Sequence, residues 1–362
     1  MRDGEAMPPL EPAPPLSRFE FWPAPLFYLP MLAVIAGLAI RHRGLRLPLL
    51  ANPGLPAGGL VGESKSAVFA AIEGPERATL APFVTLRRNG SAISQLAEAE
   101  VEMWAGGLDY PVVAKPDIGC RGAGVRPVRN SDELTAYLAE FPVGETLILQ
   151  RLVAAKGEVG IFYVRAPDAD RGEILSLTLK YFPQVTGDGQ STIESLVRAD
   201  PRAGQVPHLY LPRLADRLDE VPASGERVPL VFAGNHCRGA IFRDGTAYVT
   251  RALIDRMDRI VDCIPGFHFG RFDVRFSDFE AFRRGEDLTI VEYNGAGAEA
   301  THIWDSRMTL RGAWASLARQ YALLFAIGAA NRERGHRPEG WRALIARWRA
   351  EKRATKRYPS TA

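Results

Sequence analysis

The chain has 362 residues, 46% of them hydrophobic, which is enough to bury one large core or two moderate ones. Its 45 Lys and Arg against 42 Asp and Glu leave a formal charge of +3, too little to indicate a nucleic-acid partner. The three cysteines, Cys120, Cys237 and Cys263, are widely spaced and the six histidines show no HExxH-like pattern, which favours a reducing compartment and argues against a disulfide framework, a structural zinc and a histidine metal site.

Residues 1–20 carry Pro8, Pro9, Pro12, Pro14 and Pro15 and little to bury, which predicts a disordered or extended arm. Segment 21–47 is apolar: no residue from Phe21 to Ile40 is charged, and Arg41, His42, Arg43 and Arg46 follow at once. Pro23, Pro25 and Pro30 interrupt its first half and leave Met31 to Ile40 as the clean helical stretch. Three readings are open for it: an interfacial or re-entrant anchor, a spanning helix, and a core helix. If it inserts, the basic residues behind it keep the rest of the chain cytoplasmic, at the inner face of the membrane. Region 48–84 is loop-rich; Glu63, Ser64 and Lys65 either touch a substrate or start a helix capped by Ser64. Ser91 to Trp104 reads as a helix ended by Gly106 and Gly107. From there short β-branched runs alternate with helical patches, a mixed α+β body closed by a helix over Arg307 to Asn331.

Three motifs in this body carry chemistry. Tyr110–Val128 places Lys115 at the end of a β-run, then Gly119, Gly122 and Gly124, then another β-run. Glycines let backbone N–H groups approach phosphate oxygens, and the strand lysine supplies countercharge. In Phe269–Phe276, alternation sets Arg271, Asp273 and Arg275 on one face and Phe272, Val274 and Phe276 on the other. In Leu288–Gly295, alternation sets Glu292 and Asn294 on one face, together with Ile290. Asp273, Glu292 and Asn294 are hard oxygen donors suited to Mg²⁺ shared with nucleotide phosphates. Arg271 beside them can neutralise a transferring phosphoryl group or an oxyanion. Cys120 is incidental, since a thiol nucleophile needs a base that the surrounding sequence does not identify.

On these residues the sequence from Thr85 to Asn331 resembles the ATP-grasp superfamily, in particular carboxylate–amine ligases of the D-alanine–D-alanine ligase-like and cyanophycin-synthetase-like kinds. The resemblance implies two α+β lobes over residues 85–331 clamping ATP, with an abbreviated N-terminal region. It implies that Lys115 and Lys180 hold phosphates and that Gly119, Gly122 and Gly124 form the lid. Gln150, Arg151 and Leu152 would meet adenine and Glu158 the ribose. Arg271 is implied as the catalytic arginine. Asp273, Glu292 and Asn294 are implied as ligands of two Mg²⁺, with Mn²⁺ as a substitute. The implied reaction activates a small-molecule carboxylate as an acyl phosphate and couples it to an amine. The same site would also serve a kinase or phosphotransferase, or a non-catalytic membrane-associated nucleotide-binding protein.

The sequence departs from that pattern in two places. The region before the lysine strand is short and Gly295–Asp305 lacks a serine-rich turn, and both put D-alanine in doubt as the substrate. Glu299, His302 and Asp305 would meet the amine or cap the next helix. Asn235, His236 and Arg238 sit at a turn with either role open. Gly187–Val197 reads as a turn and a capped helix, with a place near the nucleotide also open. Segment 338–358 repeats Trp341, Leu344, Ile345 and Trp348 at helical spacing among basic residues. It reads as a basic amphipathic helix that associates peripherally with anionic membrane or docks on the body.

Overall fold

The computed structural model describes residues 7–119 and 122–361, so Cys120 lies outside the described residues. Helices α1 (Ala24–Arg41) and α2 (Lys65–Ala70) precede the first lobe. That lobe contains β1 (Phe83–Arg87), α3 (Ala92–Ala105), β2 (Val112–Pro116), β3 (Arg126–Val128), α4 (Ser131–Glu140) and β4 (Thr146–Arg151). Its strands pair antiparallel in the order β1-β4-β2-β3. Ala99 and Met103 of α3 and Leu134 and Leu138 of α4 close over Val112, Ala114, Leu147 and Leu149. Ser91 caps α3 by accepting from the Ser94 N–H, as its position in the sequence predicts.

The second lobe runs through β5 (Gly157–Val164), β6 (Glu173–Tyr181), β7 (Gln184–Thr186), α5 (Ile193–Ala199), β8 (Arg227–Pro229) and β9 (Ile241–Asp244). It continues with α6 (Arg251–Asp262), β10 (Phe269–Phe276), α7 (Phe279–Arg283), β11 (Thr289–Asn294), α8 (Leu310–Glu333) and α9 (Trp341–Thr355). Five strands form an antiparallel sheet in the order β11-β10-β5-β6-β9. Phe272, Val274 and Phe276 share its core face with Val159, Ile161, Leu177 and Leu179, under Leu253, Met257 and Val261 of α6. The opposite face is split: Phe162 and Phe269 lie beneath Leu324 of α8, and the remainder is polar. The strand pair β7–β8 and α5 enclose a small satellite core around Val185, Ile193 and Val228.

One sequence expectation is overturned in β11. Ile290 faces the core opposite Val274, not the side of Glu292, because the register shifts between Asp273 and Val274 and leaves Val291 as the extra residue. Such a bulge reverses the alternation that a plain strand would keep. Beyond it Asp273 pairs with Glu292 and Arg271 with Asn294.

The helix α1 is also longer than its prolines suggest. Pro25 occupies the first turn, where its missing N–H has no partner to lose, and the helix continues through Pro30. Phe27 and Met31 are buried, with the Phe27 ring 4.9 Å from Trp304, and Trp314 Nε1 donates to the Phe27 carbonyl at 3.0 Å. Each of these buried side chains contributes roughly 1.5–3 kcal/mol. Leu26, Leu29, Leu32 and Ile40 remain 53–79% exposed, so α1 is docked on one side only. The arm before it lies extended along the body from residue 7, tied by Tyr181 Oη to the Pro8 carbonyl and by the buried Arg202–Glu20 pair at 2.5 Å.

The chain beyond α9 returns to the glycine loop. Tyr358 stacks on Phe141 at 5.5 Å and donates to the Ile118 carbonyl at 2.6 Å, and Thr361 Oγ1 donates to the Gly122 carbonyl at 2.7 Å. Removing residues 358–361 is expected to raise hydrogen exchange across loop 117–125 while β5, β6 and β10 stay protected. Unchanged exchange in the loop would show that these contacts do not hold it.

Candidate functional site

A cleft of about 640 Å³ opens between the two sheets. Lys115, Gln150, Arg151 and Leu152 line it from the first lobe, with Gly119 and Gly122 at its edge. Glu158, Lys180, Arg271, Asp273, Glu292 and Asn294 line it from the second. The structure therefore brings together every residue expected to hold nucleotide or metal, and the expected catalytic Arg271, except Gly124, which is outside the lining. Gly124 has φ +71°, and a Cβ there would come within 2.9 Å of Pro116. The five-stranded sheet supplies the floor because alternation turns Glu158 and Gly160 of β5, Thr178 and Lys180 of β6, and Arg271, Asp273 and Arg275 of β10 to one side.

A row of buried ion pairs crosses this floor. Arg271 Nε lies 3.0 Å from Asp273, Lys180 Nζ 3.0 Å from both Asp273 and Glu158, and Arg275 3.0 Å from Glu158. Three cations against two carboxylates leave one positive charge in excess. Burial opposes the charge on Lys180, but Asp273 and Glu158 hold its ammonium above the usual lysine value. Burial likewise opposes ionisation of Glu158, and Lys180 and Arg275 keep the carboxyl below its usual range. As scaffolding alone such a row is costly, since apolar residues would pack as stably without the desolvation penalty. Gly234 closes over the row: a Cβ there would sit 2.2 Å from Glu158 Oε1.

A second cluster lies toward the glycine loop. Lys115 Nζ donates to Gln150 Oε1 at 2.7 Å and to the Val291 carbonyl at 3.1 Å, and stands 5.0 Å from the Phe69 ring centroid. Burial pushes its ammonium down to about 8, against the pull of Glu292. Lys65 pairs with Glu292 at 3.1 Å and donates to the Gly119 carbonyl at 3.0 Å, tying the loop to the floor. Burial opposes the Glu292 charge, yet Lys65, Lys115 and Arg271 hold that carboxyl down at about 2. Burial pushes the neighbouring Glu63 carboxyl up to about 7, partly offset by Lys65.

Among the described residues no three His, Cys, Asp or Glu side chains are grouped to hold a metal ion by themselves. Asp273 and Glu292 are nonetheless direct cross-strand partners, with Asn294 two residues on. Two carboxylates and one amide fit a hard divalent cation that takes its remaining oxygens from a bound polyanion.

Some expected residues hold positions that the motifs do not specify. Gln150 has its amide oxygen on Lys115 and its amide nitrogen 3.3 Å from the Ala81 carbonyl. The Arg151 side chain turns out to the Gly107 carbonyl, and its own N–H is taken by Pro82. Both carboxylate oxygens of Glu158 are engaged by cations. Glu299 lines the cleft, accepting from Tyr28 Oη and from Trp304 Nε1 at 2.7 Å. His302 and Asp305 do not line it; Asp305 accepts from Arg307 and the Asp244 N–H. Asn235 and His236 line it, with His236 stacked 4.5 Å from Trp304, whereas Arg238 does not. Gly187–Val197 also lies outside the lining. Ser64 caps α2, bonds Asp117 at 2.7 Å and does not line the cleft, whereas Glu63 and Lys65 do. Contributions from Phe21, Trp22, Tyr28 and Glu351 carry no motif, since only the docking of the N-terminal arm, α1 and α9 brings them to the cleft.

No protein-family model matches the chain, and no curated protein sequence matches it. Solved structures to which the fold is similar include a bifunctional glutathione synthetase from Pasteurella multocida, at 16% identity and TM-score 0.35 over 71% of this chain and 35% of that one. A D-Ala:D-Ser ligase from Enterococcus faecalis is similar at 13% identity and TM-score 0.40, over 74% of this chain and 64% of that one. A D-alanine–D-alanine ligase from Bacillus anthracis is similar at 13% identity and TM-score 0.38, over 78% of this chain and 71% of that one. The chain thus spans about a third of the length of the first of these proteins.

Proposed function

We propose that this chain is an ATP-dependent ligase of the ATP-grasp kind, which activates a carboxylate as its acyl phosphate and joins it to an amine. The observation that carries the reading is the row of buried charges on the cleft floor, with its positive excess beside an Asp–Glu–Asn donor set and a glycine loop opposite. ATP would lie between the lobes with its phosphates among Lys115, Lys180 and the glycine loop, its adenine beside Gln150, Arg151 and Leu152, and its ribose near Glu158. Asp273, Glu292 and Asn294 would hold Mg²⁺, which supplies Lewis-acid neutralisation of the phosphates when bound. For that, Glu292 must release Lys65, which occupies it here.

A substrate carboxylate oxygen attacks the γ-phosphorus, and ADP leaves with the broken P–O pair. The amine nitrogen then attacks the acyl carbon, phosphate departs with the C–O pair, and the amine loses a proton. Arg271 stabilises the oxyanion between these events. The loop, tied by Lys65 and Tyr358, excludes the water that would hydrolyse the acyl phosphate. The test is a phosphate-release screen of paired carboxylates and amines with ATP and Mg²⁺, run with and without hydroxylamine. Trapped hydroxamate is expected; transfer of the phosphoryl group to a hydroxyl with no hydroxamate would mark a kinase instead.

The depressed Lys115 gives a pH dependence. Below about 8 the ammonium is charged and can hold phosphate; above it the charge is lost. Glu292, Lys65, Asp273 and Asp117 all act on this group. ATP affinity is expected to fall as pH rises from 8 to 9.5, by at most about tenfold per unit, whereas a lysine at its ordinary value would show no change there.

Peripheral association with anionic membrane, on the cytoplasmic side, belongs to the same proposal. Helix α1 is long and apolar enough to cross a membrane, and only 11% of it is buried. On α9 Trp341, Ile345 and Trp348 are 44–48% exposed among basic residues. Flotation with anionic vesicles at low salt is expected to carry the protein upward, and an unchanged position in the gradient would end this part of the reading.

A further inference from the structure

Beside the cleft is a second cavity of about 450 Å³ that the ligation chemistry does not use. It lies between α1 and α8, and its walls are mainly apolar: Ile35, Leu45, Pro48, Leu324 and Phe325. Its volume is within the usual range for a small-molecule site, roughly 300–1,000 Å³. It adjoins the cleft: Tyr28, Leu60, Gly297, Ala298 and Glu299 line both spaces. At the junction the Glu299 carboxylate accepts from Tyr28 and Trp304, and its backbone carbonyl accepts from Arg271 at 3.3 Å. A reactive polar centre and an apolar chamber thus meet at one carboxylate.

We propose that the amine substrate is an amphiphile, a primary amine on an alkyl chain, whose chain lodges in this second cavity with its ammonium at Glu299. The proposal rests on the ligase reading, which sets the reacting carboxylate toward Arg271 and so leaves the Glu299 side for the amine. The negative charge there matches an ammonium and not a second carboxylate. Tyr28 and Ile35 of α1 both line the chamber, and Leu32 lies on the same helical stripe with 62% of its surface exposed. The exposed Leu32 therefore adds apolar surface beside the chamber. A chain longer than the chamber still meets apolar surface at Leu32.

Calorimetric titration of the full chain with dodecylamine, kept below its micelle concentration, and with butylamine tests the idea. Dodecylamine is expected to bind at least about a hundredfold more tightly, because each buried methylene adds affinity. The double variant Ile35→Asn, Leu45→Asn polarises two wall residues outside the catalytic cleft. It is expected to reduce that preference at least roughly tenfold, with butylamine and ATP binding unchanged. Equal affinity for the two amines would overturn the proposal. So would an undiminished preference in the variant, which would mean adsorption on the outside of α1, or a preference that vanishes when self-association of the chain is suppressed by dilution. ATP binding measured in the same samples separates the outcomes: retained ATP binding with no chain-length preference leaves the ligase reading standing and removes only this one.

Discussion

Asp273→Ala is expected to lower ATP turnover by at least about 10³-fold, while the folded fraction remains measurable at 25 °C. Asp273 carries two tasks at once. It faces Glu292 across the β10–β11 pair as half of the carboxylate donor set, and it accepts from both Arg271 and Lys180. Its loss removes a cation ligand and leaves two buried positive charges with fewer partners, a change that destabilises by about 3–5 kcal/mol. The turnover loss must therefore be normalised to folded protein. Asp258 offers the comparison: its carboxylate accepts from Tyr163 Oη and the Gly172 N–H on the far side of the sheet from the cleft. Asp258→Ala is expected to reduce thermal stability with turnover per folded molecule unchanged. Equal turnover losses in the two variants would mean that Asp273 acts only as scaffolding.

Lys180→Met is expected to weaken ATP binding strongly while costing less stability than removal of Asp273. Both anions beside Lys180 keep another cation, Glu158 through Arg275 and Asp273 through Arg271, so neither is left unpaired. What disappears is the excess positive charge of the floor, and with it the attraction for a polyanion. Binding is expected to fall by about 10²-fold, in line with a charge-assisted hydrogen bond worth some 1.5–3 kcal/mol. Lys180→Arg is not expected to rescue it. Gly234 already lies so close that its Cβ would be 2.9 Å from Lys180 Cδ, which leaves no room for a guanidinium fork. A fully active arginine variant would show that the floor needs charge but not shape.

How much of this was legible in the sequence depends on distance along the chain. Strand alternation in Phe269–Phe276 set Arg271, Asp273 and Arg275 on one face, and the structure keeps them there because Phe272, Val274 and Phe276 have a core to enter. The same rule failed one residue away: the bulge at Val291 turns Ile290 inward, and nothing in a β-branched run announces a bulge. Pairings between distant segments left no local trace. The Lys65–Glu292 bridge spans more than two hundred residues, and the Tyr358 contact with Ile118 is as remote. Proline misled the reading of α1 because a first-turn proline costs a helix nothing, and the packing of Phe27 and Met31 stabilises the turn that Pro30 weakens. The second cavity had no sequence signature at all, since its wall is mainly ordinary apolar residues from five separate stretches.

Calorimetric titration of ATP with Mg²⁺ into the wild-type chain and into Lys115→Ala tests the cleft most directly. Saturable, magnesium-dependent binding that the substitution at Lys115 weakens at least about tenfold is the predicted result. No binding to the wild type, or identical binding to both proteins, would contradict the placement of a nucleotide between these two sheets.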